Sequence, residues 1–108
     1  VKNNKWIGKY IEYYDNGIIR EEKNYLDGKL EGNALLYFKN GKIKESKCYK
    51  SDKLNNEFLY YYNNGQLWIK SNYQNGKLNG DRFIYYEDGS LEKKETYKDG
   101  INIFNKMH

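Results

Sequence analysis

An all-β fold, one elongated antiparallel meander sheet of about eight strands built from four 24-residue hairpin repeats, follows from three observations in this sequence. Gly17, Gly41, Gly65 and Gly89 recur at a fixed step of 24 residues, and Tyr25, Tyr49, Tyr73 and Tyr97 keep that step without insertion or deletion. Turn dipeptides punctuate each unit twice. No segment carries the apolar spacing of a helix. A fixed period of this size signals stacked supersecondary units, each burying its apolar side chains against its neighbours.

The phase divides the single domain, residues 1–108, into units 8–31, 32–55, 56–79 and 80–103. Asn4-Lys5-Trp6-Ile7-Gly8 runs in phase with Gly28-Lys29-Leu30-Glu31-Gly32, so residues 1–7 read as a partial repeat or an N-terminal cap. Ile101-Asn102-Ile103-Phe104 departs from the Lys-Leu-x-Gly pattern, and the array is expected to end there, with 104–108 as a tail. Within a unit the first turn is Asp15-Asn16-Gly17, Lys39-Asn40-Gly41, Asn63-Asn64-Gly65 or Glu87-Asp88-Gly89. The second is Asp27-Gly28, Asn75-Gly76 or Asp99-Gly100, with Asp52 replacing glycine in the second unit. Asn-Gly and Asp-Gly are strong hairpin signals because glycine takes positive φ without a Cβ clash, and Asp is among the few residues that tolerate it.

Consecutive strands joined by tight turns must be antiparallel neighbours. A three-residue first loop pairs Tyr61 with Leu67 and Leu59 with Ile69, which gathers the recurrent columns on one face, and sets Tyr60 opposite Trp68 on the other. A two-residue loop inverts that assignment. Gly32 and Gly80 are candidate bulge positions.

Thirteen Tyr and four Phe supply much of the buriable area, and Tyr suits sheet faces that stay partly wet. The net charge of +4 is a weak pull toward anionic partners, and no run of five like charges marks a tail or nucleic-acid arm. Cys48 is the single cysteine, so neither an internal disulfide nor a cysteine-based zinc site can form. Apolar stretches are too short for a transmembrane helix or a retained signal peptide. The compartment stays open between cytoplasm and, after processing, cell envelope or secretion.

The unit Gly-x-x-x-x-Tyr-Tyr-x-Asn-Gly-x-Leu, followed by Tyr-x-x-Gly-Lys-Leu-x-Gly, resembles the MORN repeat (membrane occupation and recognition nexus), in the variant form common in bacterial proteins. Four phased copies carry the resemblance over nearly the whole chain. It implies an elongated sheet of stacked hairpins that serves as a binding or scaffolding surface. It also implies an antitoxin-like role in toxin–antitoxin pairs, or association with membranes. Asp52 and Asn56 stand where the pattern has glycine in the second turn region, a departure in regularity.

Enzyme chemistry is not read here. There is no phosphate-cradling loop or kinase motif, so no nucleotide or other cofactor is expected. His108 is the single histidine, at the end of the chain, and Glu21 and Glu45, with Glu22 beside Glu21, stand in a column that becomes Ile69 or Lys93 elsewhere, as solvated strand charges do. The Asx-Gly turns lack the alternating oxygen ligands of a calcium loop, and no metal site is expected. Cys48 shares a column with Asn24, Asn72 and Thr96 and reads as a small strand residue. Tyr ladders on a basic chain suit base stacking, but a column repeated in every unit is spent on packing, so nucleic acid is disfavoured.

Function is therefore sought where one unit breaks the polar rule. Phe58, Tyr60 and Trp68 stand in columns that elsewhere hold Arg82, Glu12 and Arg20 or Lys44, and together have the composition of a protein-binding hot spot. The first expectation is a non-catalytic protein-binding module, antitoxin- or immunity-like, centred there. The alternative is a peripheral membrane module whose Lys29, Lys42, Lys53 and Lys77 meet anionic phospholipid headgroups. A third is a structural spacer whose open sheet edges join further repeats or other copies edge to edge.

Overall fold

In the computed structural model, residues 7–103 are described. They form β1 (Gly8–Tyr13), β2 (Ile19–Leu26), β3 (Lys29–Leu30), β4 (Gly32–Tyr37), β5 (Ile43–Lys50), β6 (Lys53–Leu54), β7 (Asn56–Tyr61), β8 (Leu67–Gln74), β9 (Lys77–Leu78), β10 (Gly80–Tyr85), β11 (Leu91–Lys98) and β12 (Ile101–Asn102). The expected cap at residues 1–7, save Ile7, and the tail at 104–108 lie outside the described residues. All strands join one antiparallel sheet in the order β1-β2-β4-β5-β7-β8-β10-β11, while β3, β6, β9 and β12 pair with β2, β5, β8 and β11. The meander is as expected.

Twelve strands appear in place of eight because the incoming strand of each unit is bent. Gly32, Asn56 and Gly80 adopt φ of +80, +71 and +100°, which interrupts the extended backbone just after Glu31, Asn55 and Asn79. Hydrogen bonding nonetheless bridges each break, since Glu31 N donates to Asn24 O at 3.0 Å and Asn79 N to Asn72 O at 2.8 Å. The short and long strands are thus halves of one bent strand.

The two turns of a unit differ in kind. At the first, Gly17 N donates to Tyr14 O at 3.0 Å and Tyr14 N to Ile18 O at 2.8 Å, with Gly17 at φ +85°. This is a three-residue loop that pairs Tyr61 with Leu67, as anticipated. At the second, both central residues have positive φ (Asp27 +52° and Gly28 +79°; Ser51 +49° and Asp52 +71°), the type I′ hairpin geometry.

One register expectation fails. Leu59 pairs with Lys70 and Tyr60 with Ile69, because the pairing slips between Tyr60 and Tyr61. Trp68 is the extra residue of a β-bulge, and Arg20, Lys44 and Glu92 are its counterparts in the other units. Two bulged residues oppose one partner, so the side-chain alternation inverts beyond that point. The recurrent columns are consequently split. Tyr61 and Leu67 lie on one face, whereas Tyr73 shares the other with Phe58 and Tyr60.

The sheet measures 56 × 34 × 13 Å, a single layer, and among the described residues no second sheet closes a core. Among the described residues the buried apolar side chains are Ala34 and Phe58. Cohesion comes instead from contacts that repeat between adjacent units. Tyr14 and Tyr62 donate their hydroxyls to the carbonyls of Tyr37 and Tyr85 at 2.6 and 2.7 Å. Asn16, Asn40 and Asn64 donate their amides to Lys39, Asn63 and Glu87 carbonyls, which stacks the first turns. Asp52, Gly76 and Gly100 N–H groups donate to the carbonyls of Leu30, Leu54 and Leu78, which stacks the second turns.

Candidate functional site

The bulge at Trp68 builds the candidate site. Trp68 shares the face of Tyr60, with ring centroids 6.2 Å apart, edge to face, and the bulge carries Ile69, Ser71 and Tyr73 onto that face beside them. Tyr62 stacks on the same indole at 5.1 Å. Phe58 stacks on Tyr60 at 4.7 Å and tilts against Tyr73 at 5.8 Å. Directly across from Phe58 stands Ser71, whose small side chain is buried and leaves the ring room to lie flat. Lys47 extends its ammonium to 5.5 Å from the Phe58 ring, a cation–π contact.

The three predicted residues are therefore brought together, but in different positions relative to solvent. Trp68 is 39% exposed, Tyr60 is half-buried, and Phe58 is only 8% exposed. Phe58 braces Tyr60 from below. Tyr62 and Tyr73 complete the cluster, and the sequence reading missed them because it assigned their recurrent columns wholly to packing. Locating the bulge is what would have placed Tyr73 on the face of Tyr60.

Charge sets this unit apart. On the same face the first, second and fourth units carry ion pairs: Arg20–Glu12 at 2.8 Å, Lys47–Glu45 at 3.4 Å, and Arg82–Glu95 at 2.8 Å. The third unit presents no charged side chain there. Burial, then the Glu45 carboxylate, pushes the Tyr60 hydroxyl above the ordinary tyrosine range. Burial, then Glu87 and Glu92, does the same for Tyr62. Both remain neutral hydrogen-bond donors at physiological pH.

The four lysines of the alternative reading do not share one surface. Lys29, Lys53 and Lys77 follow the second turns along one rim of the sheet, while Lys42 follows a first turn on the opposite rim and donates to Asn64 O at 3.3 Å. Lys50, paired across from Lys53, and Lys98 join the first rim. Those five have no ion pair among the described residues. The sequence signal for Lys50 was its register opposite Lys53, two like charges that disfavour the pairing.

Two open hollows lie among the described residues. One of about 450 Å³ lies beside Glu12, Tyr13, Arg20 and Lys39, the other of about 210 Å³ between Cys48, Asn33, Glu57 and Leu59. Among the described residues, no group of three His, Cys, Asp or Glu side chains is placed to hold a metal ion, and no helix is long and apolar enough to cross a membrane.

A one-layer array of hairpins with an uncharged aromatic patch on a charged face defines a repeat-built binding module. The profile of the MORN repeat variant matches residues 7–27, 30–51, 54–75 and 78–99, one match for each unit, and the chain belongs to this MORN repeat family. No curated protein matches the chain.

Proposed function

We propose that the chain is a non-catalytic protein-binding module that holds its partner on the aromatic face at the third unit, in the manner of an antitoxin or immunity protein. One observation carries this reading: Trp68 and Tyr60 stand on the one unit whose face is free of charge, already ordered by Tyr62 and Phe58. Exposed, pre-ordered aromatic side chains without desolvated charges are what protein interfaces use as anchors, because little rotamer entropy is lost on binding. Co-purification with the wild type and with Tyr60→Ala/Trp68→Ala tests it. Loss of the partner in the double variant supports the assignment, and an unchanged set of partners overturns it.

A second reading is favoured by the row formed by Lys29, Lys50, Lys53, Lys77 and Lys98 along one rim, which could meet anionic headgroups at about 1 kcal/mol per lysine. Flotation with liposomes containing anionic lipid at low salt is the test. Absence of binding there removes the membrane reading.

A further inference from the structure

On the aromatic face, three charges of β2 reappear in β11 with opposite sign. Arg20, Glu21 and Lys23 occupy the columns of Glu92, Lys93 and Glu95, one full inversion over three positions. Between them the face carries Leu36, Tyr60, Ile69 and Ile84, with the Lys47–Glu45 ion pair and Lys44 on β5 and Arg82 on β10 interspersed. A surface with an uncharged aromatic middle strand whose end charges invert from one side to the other is complementary to itself turned end for end.

From this pattern we infer that two copies of the chain dock aromatic face to aromatic face, across a two-fold axis lying between the sheets and parallel to β7. This inference rests on the reading of that face as a protein-binding surface and names its occupant. The sheet order fixes what meets what. Rotation about β7 lays β2 of one copy over β11 of the other and β5 over β8, with β7 facing its own copy. Arg20 then faces Glu92, Glu21 faces Lys93 and Lys23 faces Glu95, each contact occurring twice as an isologous interface requires. Lys44, the bulge residue of β5, comes over Trp68, the bulge residue of β8, as a cation–π pair. Phe58 and Tyr60 meet their own counterparts on the axis.

The dimensions suit such a pairing. Sheets pack face to face about 10 Å apart, and a stable interface takes roughly 800 Å² from each partner, which a 56 × 34 Å face exceeds. Docking also supplies the second layer that a 13 Å sheet lacks. The charges at the two ends already have partners within the chain, such as Lys93 with Glu95 at 3.7 Å, so they contribute orientation, and the aromatic centre contributes affinity.

Sedimentation equilibrium of the chain over a concentration series is the first measurement, and a monomer–dimer equilibrium is expected. Two variants then test the pairing: Arg20→Glu/Glu21→Lys, and Glu92→Arg/Lys93→Glu. All four side chains lie on the surface or near it, and far-UV circular dichroism checks that each variant keeps its sheet. Each variant alone is expected to dimerise at least about tenfold more weakly, because the two ends then carry matching signs. Their equimolar mixture is expected to regain the wild-type affinity as a heterodimer. A wild-type chain that stays monomeric throughout, variants that dimerise like the wild type, or a mixture no tighter than its components would each overturn the inference. The two readings fail separately: if Tyr60→Ala/Trp68→Ala loses a different protein while the charge variants behave as wild type, the face binds and the second copy is not its occupant.

Discussion

The Tyr14 hydroxyl donates to the backbone carbonyl of Tyr37, one unit further along the chain, at 2.6 Å. Tyr62 repeats this bond to Tyr85 at 2.7 Å. Phe38 occupies the same column and has no hydroxyl, so the carbonyl of Tyr61 lacks the equivalent donor. Phe38→Tyr is expected to supply it and to raise stability by about 0.5–1.5 kcal/mol, the net worth of an ordinary hydrogen bond. Urea unfolding of the two proteins reads the change directly, and an unaltered midpoint would show that the ladder adds nothing at this rung.

Cys48 interrupts a second ladder. Asn24 and Asn72, in the same column, donate to the carbonyls of Asn33 and Asp81 at 3.2 and 3.4 Å. The hollow of about 210 Å³ at Cys48 and Glu57 is where the missing amide would lie. Cys48→Asn should extend the ladder to the Glu57 carbonyl and stabilise the sheet by about 0.5–1 kcal/mol. Thermal unfolding under reducing conditions measures it, and a lowered midpoint would mean the hollow cannot close around the amide.

Tyr37 gives a pH signature. Its hydroxyl donates to the Glu22 carboxylate at 2.6 Å, and that bond, reinforced by burial and by the charge itself, pushes the hydroxyl up to about 12. The folded value lies above the unfolded value of about 10, so the contribution is complete below pH 10 and is lost as pH rises from there through 12. Wild type is expected to exceed Tyr37→Phe by about 1 kcal/mol at pH 8, with the gap closing toward pH 12. A gap constant over this range would contradict the assignment.

Gly32 separates strain from space. Its φ is +80°, yet a Cβ there would meet nothing within 4 Å. Gly32→Ala should therefore cost about 1–2 kcal/mol for conformation alone. The third unit meets the same demand with Asn56 at φ +71°, a residue type that visits this region, so Asn56→Gly should change stability by only a few tenths of a kcal/mol. Denaturation of both variants checks the pair, and an Ala variant as stable as wild type would refute the strain argument.

The period, the turn dipeptides and the antiparallel order were legible in the sequence because they depend on local backbone chemistry: glycine or Asx at positive φ, repeated in phase. The bulge was not. Its column holds Arg20, Lys44, Trp68 and Glu92, side chains with nothing in common, since a bulge is set by how two strands meet and not by the residue displaced. That one slip moved Ile69, Ser71 and Tyr73 to the face of Tyr60. Phe58 was picked out by its composition, but its burial depends on Ser71 across the strand pair, which only the register reveals. The lysine row was half visible for the same reason: Lys50 and Lys98 enter through pairing, and Lys42 leaves because the two turns lie on opposite rims.

The central claim is that binding resides in the variable columns of the third unit, while the recurrent columns hold the sheet together. It is tested most directly by recovering partners on tagged wild type and on Tyr60→Ala/Trp68→Ala from the native host, alongside the thermal unfolding of each. Both substitutions remove half-exposed rings, so the fold is expected to survive with a loss of about 1–3 kcal/mol while the partner is lost. A partner retained by the folded double variant, or none recovered by the wild type, would contradict the account.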